Sequence, residues 1–296
     1  MARSSRQLSE HERAERRRQD RERLQQAARE LLSSDGWARW VKTRAMFHAY
    51  SAGNCMLLAA QCHQRGIVPI RIAGFRTWLK LGRSARKGET ALRILAPISV
   101  KERDQLTGEE SDERRVFFKT AFVFDVSQTD ILPGAEPVAL EPPREPLTGD
   151  SHAHLLAPLE AFAESLGYSV SFEVIEGSAG GWCDPQAKRI VVDGGVPANA
   201  QLRTLIHECA HALGIDYEQY SRAQAEVMVD TVTLVAASAV GLAVDGETVS
   251  YVSGWGEQGA LEAVTEFAET IDKVARRIED VLLAANKDAD AVLIAA

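Results

Sequence analysis

The sequence predicts an α+β protein built as two unlike lobes, and three observations carry that expectation. Charge divides along the chain: residues 1–132 hold 25 Lys and Arg against 16 Asp and Glu, whereas residues 133–296 hold 9 against 26. The sign changes at the stretch PGAEPVALEPPREPLTGD, which carries Pro133, Pro137, Pro142, Pro143 and Pro146. Proline fixes φ and removes a donor, so this stretch reads as a semi-rigid extended linker. Finally, β-type apolar runs in the first lobe give way to mostly helical patterning in the second. The expected organisation is a charged arm or helix at 1–35, a basic domain at 36–132, the linker at 133–150 and an acidic domain at 151–296.

Composition excludes several classes. At 296 residues, 45% hydrophobic and 26% charged, the chain is an ordinary two-domain globular protein rather than a disordered, collagen-like or coiled-coil one. The longest nearly apolar stretch, Thr231 to Val244, spans 14 residues and is too short for a membrane span. The first thirty residues are rich in Arg and Glu and hold no apolar core, which argues against a secretory signal. Four cysteines without a CxxC pair point to a reduced, cytoplasmic setting.

The elements follow in order. Glu12 and Arg16 stand four apart, which suits a solvated helix, although a mobile charged arm has the same composition. Trp37, Trp40, Val41, Ala45 and His48 form an apolar face at helical spacing. A second helix is expected from Asn54 to His63. Residues Gly74 to Glu89 are rich in glycine and basic side chains. Thr90 to Val100 and Val116 to Val126 read as strands of a long hairpin, joined by the charged loop 101–114. Beyond the linker, His152 to Leu166 reads as a helix closed by Gly167. Strands are expected at Tyr168–Val174 and Lys188–Asp193. Three helices then follow: Asn199–Leu213 capped by Gly214, one starting at Ser221 with Gln224 completing a capping box, and Gln258–Ala285.

The most informative residues are His207-Glu208-Cys209-Ala210-His211. On a helix the two histidines share a face one turn apart, so both imidazoles can bind one Zn²⁺. Glu208 stands beside the metal position, where it can take a proton from an activated water and hand it to a leaving amine. Leu202, Leu205, Ile206, Ala210 and Leu213 form the apolar stripe that would bury this helix. A catalytic zinc takes three protein ligands and keeps one open position. The next helix offers Glu226 and Asp230, four apart. Glu226 is chosen as third ligand and Asp230 as an acceptor fixing an imidazole N–H; the reverse assignment stays open. The strand leading into the zinc helix, within Trp182 to Asp193, either pairs with an extended peptide at a sheet edge or is a core strand. Tyr217, Tyr220 and Tyr251 are candidates for donating to an oxyanion, with nothing to select among them. Cys209 points about 200° round the helix from His207 and reads as a core thiol.

From Arg65 to Arg93 eight basic residues, Arg65, Arg71, Arg76, Lys80, Arg83, Arg86, Lys87 and Arg93, stand against one acid, Glu89, and Phe75 and Trp78 lie among them. Cations can track phosphates while aromatic faces stack bases, which is how single strands are held without sequence readout. A protein-contact face is the competing reading.

Several segments, taken in order, resemble one family. Phe47-His48-Ala49-Tyr50-Ser51, Asn54-Cys55-Met56-Leu57-Leu58 with Gln61, Gly74-Phe75-Arg76-Thr77-Trp78, Leu81-Gly82-Arg83, Arg86-Lys87-Gly88-Glu89, Ile94-Leu95-Ala96-Pro97-Ile98 and Val123-Phe124-Asp125-Val126-Ser127-Gln128-Thr129 are similar to the N-terminal single-stranded-DNA-binding domain of the ArdC antirestriction family. They span about residues 37–130. His207, Glu208 and His211, with Ala225-Glu226 to Asp230, resemble the metallopeptidase domain that follows in that family. Here Asp230 replaces a later Glu of the family's pattern, which leaves the third ligand open by one helical turn.

The resemblance implies a cytoplasmic protein that binds single-stranded DNA through residues such as Arg71, Phe75, Arg76, Trp78, Lys80, Arg83, Arg86 and Lys87. It also implies a zinc site on His207, His211 and Glu226, with Glu208 as general base for hydrolysis of an unknown protein or peptide substrate. A DNA-coating protein whose zinc only staples the fold is the alternative.

Overall fold

The computed structural model describes residues 10–47, 49–103, 110–136, 145–177, 179–244 and 260–295. Residues 1–9 of the arm, His48, 104–109 in the hairpin loop, 137–144 of the linker, Tyr251 and the expected helix start at Gln258 lie outside the described residues. The helices are α1 (Glu10–Glu30), α2 (Ser34–Met46), α3 (Ala52–Gln64), α4 (Phe75–Lys80), α5 (Leu156–Ser165), α6 (Ala198–Ala212), α7 (Arg222–Ala239) and α8 (Ala260–Ala295). The strands are β1 (Ile72–Gly74), β2 (Arg83–Ala85), β3 (Leu92–Arg103), β4 (Glu110–Asp125), β5 (Thr129–Ile131), β6 (Glu145–Pro146), β7 (Ser169–Glu173), β8 (Gly181–Asp184), β9 (Arg189–Asp193) and β10 (Leu242–Ala243). The mixture is α+β, as expected. No helix among the described residues is long and apolar enough to cross a membrane.

The chain forms two compact units. One comprises residues 1–30 and 53–138, the other 31–52 and 139–296. This differs from the expected boundary at residue 36. Trp37, Trp40 and Arg44 of α2 are fully buried, and α2 packs on α7 in the second unit. The apolar spacing of α2 announces a buried face but says nothing of which core receives it.

In the first unit the predicted hairpin forms, with β3 and β4 antiparallel from Leu92↔Val123 to Arg103↔Glu110 and a register shift between Lys101 and Arg103. Strand β1 adds to the other side of β4. The outer edge of β3 would leave backbone groups unpaired, a cost that buried polar groups rarely bear. Two amides of α3 meet it. Asn54 donates to the Leu95 carbonyl and accepts from its N–H at 2.9 and 2.8 Å. Gln61 does the same for Arg93 at 2.8 and 2.9 Å. Asp125 is buried and accepts from the N–H groups of Ile70, Arg71 and Ser127, while Gln128 closes a capping box on it. These motif residues therefore hold the fold. The stretch rich in glycine and basic residues contains α4. Its Trp78 is fully buried and donates Nε1–H to the Phe124 carbonyl at 2.9 Å.

In the second unit β7, β9 and β8 form a sheet in that order, with β7 parallel and β8 antiparallel to the central β9. Helix α6 lies against β8 and β9, and α7 packs on α2, α6 and α8. Its Ala225, Val227, Met228, Val229, Val232, Val235 and Ala236 are buried. Each buried Val or Met contributes roughly 1.5–3 kcal/mol. The predicted capping box holds: Ser221 Oγ accepts from Gln224 N–H at 3.4 Å, and Gln224 Oε1 accepts from Ser221 N–H at 3.1 Å. Helix α8 extends past the expected end at Ala285.

Arg44 is the least predictable feature of this core. Its Nε lies 2.5 Å from Asp272 Oδ1, and its terminal nitrogens lie 2.9 and 2.7 Å from Glu279. Both acids sit on α8. Substitution Arg44→Ala leaves two buried carboxylates without a counter-charge. It is expected to cost about 3–5 kcal/mol, read as a lower midpoint in denaturant unfolding.

Candidate metal centre

Helix α6 sets the site because its apolar stripe works. Leu202, Leu205, Ile206, Cys209 and Ala210 are all fully buried, which turns His207, Glu208 and His211 to the edge of the core. The two imidazole centroids lie 5.2 Å apart. Gly214, at φ +104°, turns the chain back after α6. That turn brings the Ile215 carbonyl to 2.7 Å from His211 Nδ1, so Nδ1–H donates there and Nε2 is left free. The packing of α7 on α6 supplies carboxylates. Glu226 Oε2 lies 3.6 Å from His207 Nε2, and Asp230 Oδ1 lies 3.3 Å from His207 Nδ1. The latter contact is within ion-pair range but is not aligned as a hydrogen bond. One donor atom from each of His207, His211 and Glu226 falls within 4.8 Å of the other two. That donor set fits a divalent ion.

Burial and neighbouring charges shift the titrating groups of the site. Burial pushes the Glu208 carboxyl up to about 7, against the opposing charge of His207 and with Glu226 adding to the rise. Burial lowers His211, and would lower His207 too, but Asp230, Glu208 and Glu226 outweigh it there and raise His207. Tyr217, between α6 and α7, donates to Glu226 Oε1 at 2.5 Å, and its ring centroid lies 5.5 Å from that of His211. Of the tyrosines considered from sequence, Tyr217 lies at the site, Tyr220 packs edge-on against Phe267 and Tyr251 is outside the described residues. The residues line a cleft of about 940 Å³ whose other wall is β8, with Trp182, Cys183 and Asp184. Sequence reading places the edge strand within Trp182–Asp193. The structure puts β9 in the centre, with Ile190 and Val192 fully buried, and leaves the four-residue β8 at the edge. Strand β8 can approach α6 because of Gly181, where a Cβ would meet Thr204 Cγ2 at 2.7 Å and the Val191 carbonyl at 2.5 Å.

Residues 22–124 match the family model for the N-terminal domain of anti-restriction factor ArdC. Over that stretch, about a third of the chain, the protein is similar to ArdC. The metal-free crystal structure of the antirestriction ArdC protein from plasmid R388 is similar with a TM-score of 0.53 and 19% identity, over 90% of this chain and 98% of that one. The likeness in fold thus takes in both units. A Mn(II)-bound structure of that ArdC protein is similar with a TM-score of 0.44 and 19% identity, over 80% of this chain and 88% of that one. No curated protein matches the chain.

Within the ArdC-like N-terminal domain the eight candidate DNA residues divide. Trp78 is a correction: fully buried, it offers no ring face to a base. Arg83 is spent on the fold, donating to Thr129 Oγ1 at 2.8 Å and its carbonyl at 3.1 Å. Arg86 pairs with Glu89 at 2.8 Å and donates to the Ser127 carbonyl. Arg71 is half-buried beside Asp125, which accepts from its backbone N–H. Arg76, Lys80 and Lys87 are exposed, as is Phe75 at 46%. Sequence reading missed Phe118 and Phe122, which are 66% and 58% exposed on β4. The run VFFKTAFVF signals an apolar strand, but not which of its faces stays bare.

Proposed function

We propose that this protein is a zinc-dependent peptidase of antirestriction type that also binds single-stranded DNA. One observation carries the catalytic part: His207, His211 and Glu226 converge within 4.8 Å in an open cleft, while Glu208 stands beside them without being a donor. A structural zinc site is closed by four protein ligands, whereas a catalytic one holds three and leaves a position open. Two imidazoles and a carboxylate suit zinc among divalent ions.

In this reading His207, His211 and Glu226 would hold the ion. The Ile215 carbonyl fixes His211 from its Nδ1 side, and Asp230 stands within ion-pair range of His207 Nδ1. Tyr217 holds Glu226 Oε1, which leaves Oε2 facing the imidazoles. A bound zinc would supply a Lewis acid that activates water near neutral pH. Glu208 is placed to hold a proton beside that position and to pass it to a leaving amine. The free edge of β8 offers backbone groups to an extended peptide lying in the cleft.

Elemental analysis of the purified chain, paired with cleavage of an unfolded protein with and without chelator, tests this. One divalent ion per chain and chelator-sensitive cleavage are expected. A full complement of metal with no cleavage would favour the alternative, a DNA-coating protein with a structural ion. For the DNA part, retention of single strands should weaken with salt at a slope of about 0.7 per phosphate contact; a flat response would turn the reading to a protein-contact face.

A further inference from the structure

We propose that the outer face of the β3–β4 hairpin is the platform on which bases of single-stranded DNA stack, with Phe118 and Phe122 as its rings and Arg93 as its phosphate contact. The inference rests on the single-strand reading above and assigns it a surface. Phe118 and Phe122 lie four apart on β4, so both project from one face, about 13 Å from each other. Both are more than half exposed, and Val116 on the same face is 56% exposed. Scattered apolar residues are normal on a surface, but a row of them on one sheet face marks a binding site.

The occupant follows from charge. Arg93 is the register partner of Phe122 on β3, so its side chain stands about 5 Å from that ring's base. Arg93 is exposed and makes no ion pair among the described residues. Neither strand carries an acid along residues 92–99 or 116–124. Asp20 of α1 does reach this face, accepting from Thr120 Oγ1 at 3.0 Å, but Arg23 pairs with it at 3.0 Å. Phe75 leaves the sheet directly after Gly74, whose register partner is Val123, next to Phe122. On this same face Arg93 and Thr120 also line a pocket of about 260 Å³ with residues of α1 and α3. Bare rings flanked by an unpaired cation suit a polyanion with exposed π-faces.

Fluorescence anisotropy with a labelled oligothymidylate tests this on the full chain. The double variant Phe118→Ala, Phe122→Ala should bind at least about 25-fold more weakly, because each stacked base is worth roughly fivefold or more. Phe122→Trp should restore affinity to a Phe122→Ala background, and Arg93→Ala should flatten the salt slope by about 0.7. Unchanged circular dichroism checks folding; if the double variant unfolds, Phe118→Ala alone, at the most exposed ring, serves instead. Wild-type binding retained in full by the folded ring variants overturns the platform and leaves the single-strand reading standing. A wild type that does not bind overturns both. Ring variants that change only the sedimentation of the chain would make this a self-association face and overturn the assignment.

Discussion

Replacing Glu208 with Gln is expected to lower peptide hydrolysis by roughly 10²–10⁴-fold while the metal content stays at wild-type level. The exchange keeps the shape of a side chain that is only 6% exposed, so packing against α6 and the cleft wall is preserved. What is lost is basicity. A Gln amide cannot accept a proton near neutral pH, whereas burial already holds the Glu208 carboxyl at about 7, where proton transfer in both directions is most efficient. Glu208 is also no part of the donor group formed by His207, His211 and Glu226. Single-turnover cleavage and elemental analysis on one preparation separate these effects. Turnover undiminished in this variant would remove Glu208 as base. Loss of metal together with activity would instead make Glu208 a structural member of the site.

Much of this site was legible because it is local. The i,i+4 spacing of His207 and His211, the stripe that buries α6, Gly214 and the Ser221–Gln224 box all act within a few residues of one another. They suffice to place two helices with a tight turn between them. The same holds for the hairpin, whose β-type runs are long and continuous. The failures are non-local. Arg44 finds Asp272 across 228 positions, and no pattern around Arg44 foretells it. Trp37 and Trp40 announce a buried face, yet either core could take it. Trp78 stands between basic residues as a stacking ring would, and only the close approach of α4 to β4 shows that it is core. Phe118 and Phe122 are the converse: their run signals an apolar strand, and the two rings are bare. An aromatic side chain serves a core and a base equally well, so its role depends on what the fold brings over it.

Changing Glu226 to Ala is expected to weaken zinc binding by more than about 100-fold, and changing Asp230 to Ala by only about 10–100-fold. The difference comes from which corner of His207 each carboxylate meets. Glu226 Oε2 approaches Nε2, on the side where His211 also presents its free nitrogen. Asp230 Oδ1 approaches Nδ1, and an ion on Nε2 lies across the ring from it. Asp230 can therefore hold a proton on Nδ1 and sharpen the donor at Nε2, but it cannot share the ion. Tyr217→Phe should fall in the same milder class as Asp230→Ala, since it frees Glu226 Oε1 without removing Oε2. Competition with a chromophoric chelator reads all three affinities without any assay of cleavage. If Asp230→Ala proves the more damaging change, the ion sits one helical turn further along α7. Glu226 and Tyr217 would then be the pair that orients rather than binds.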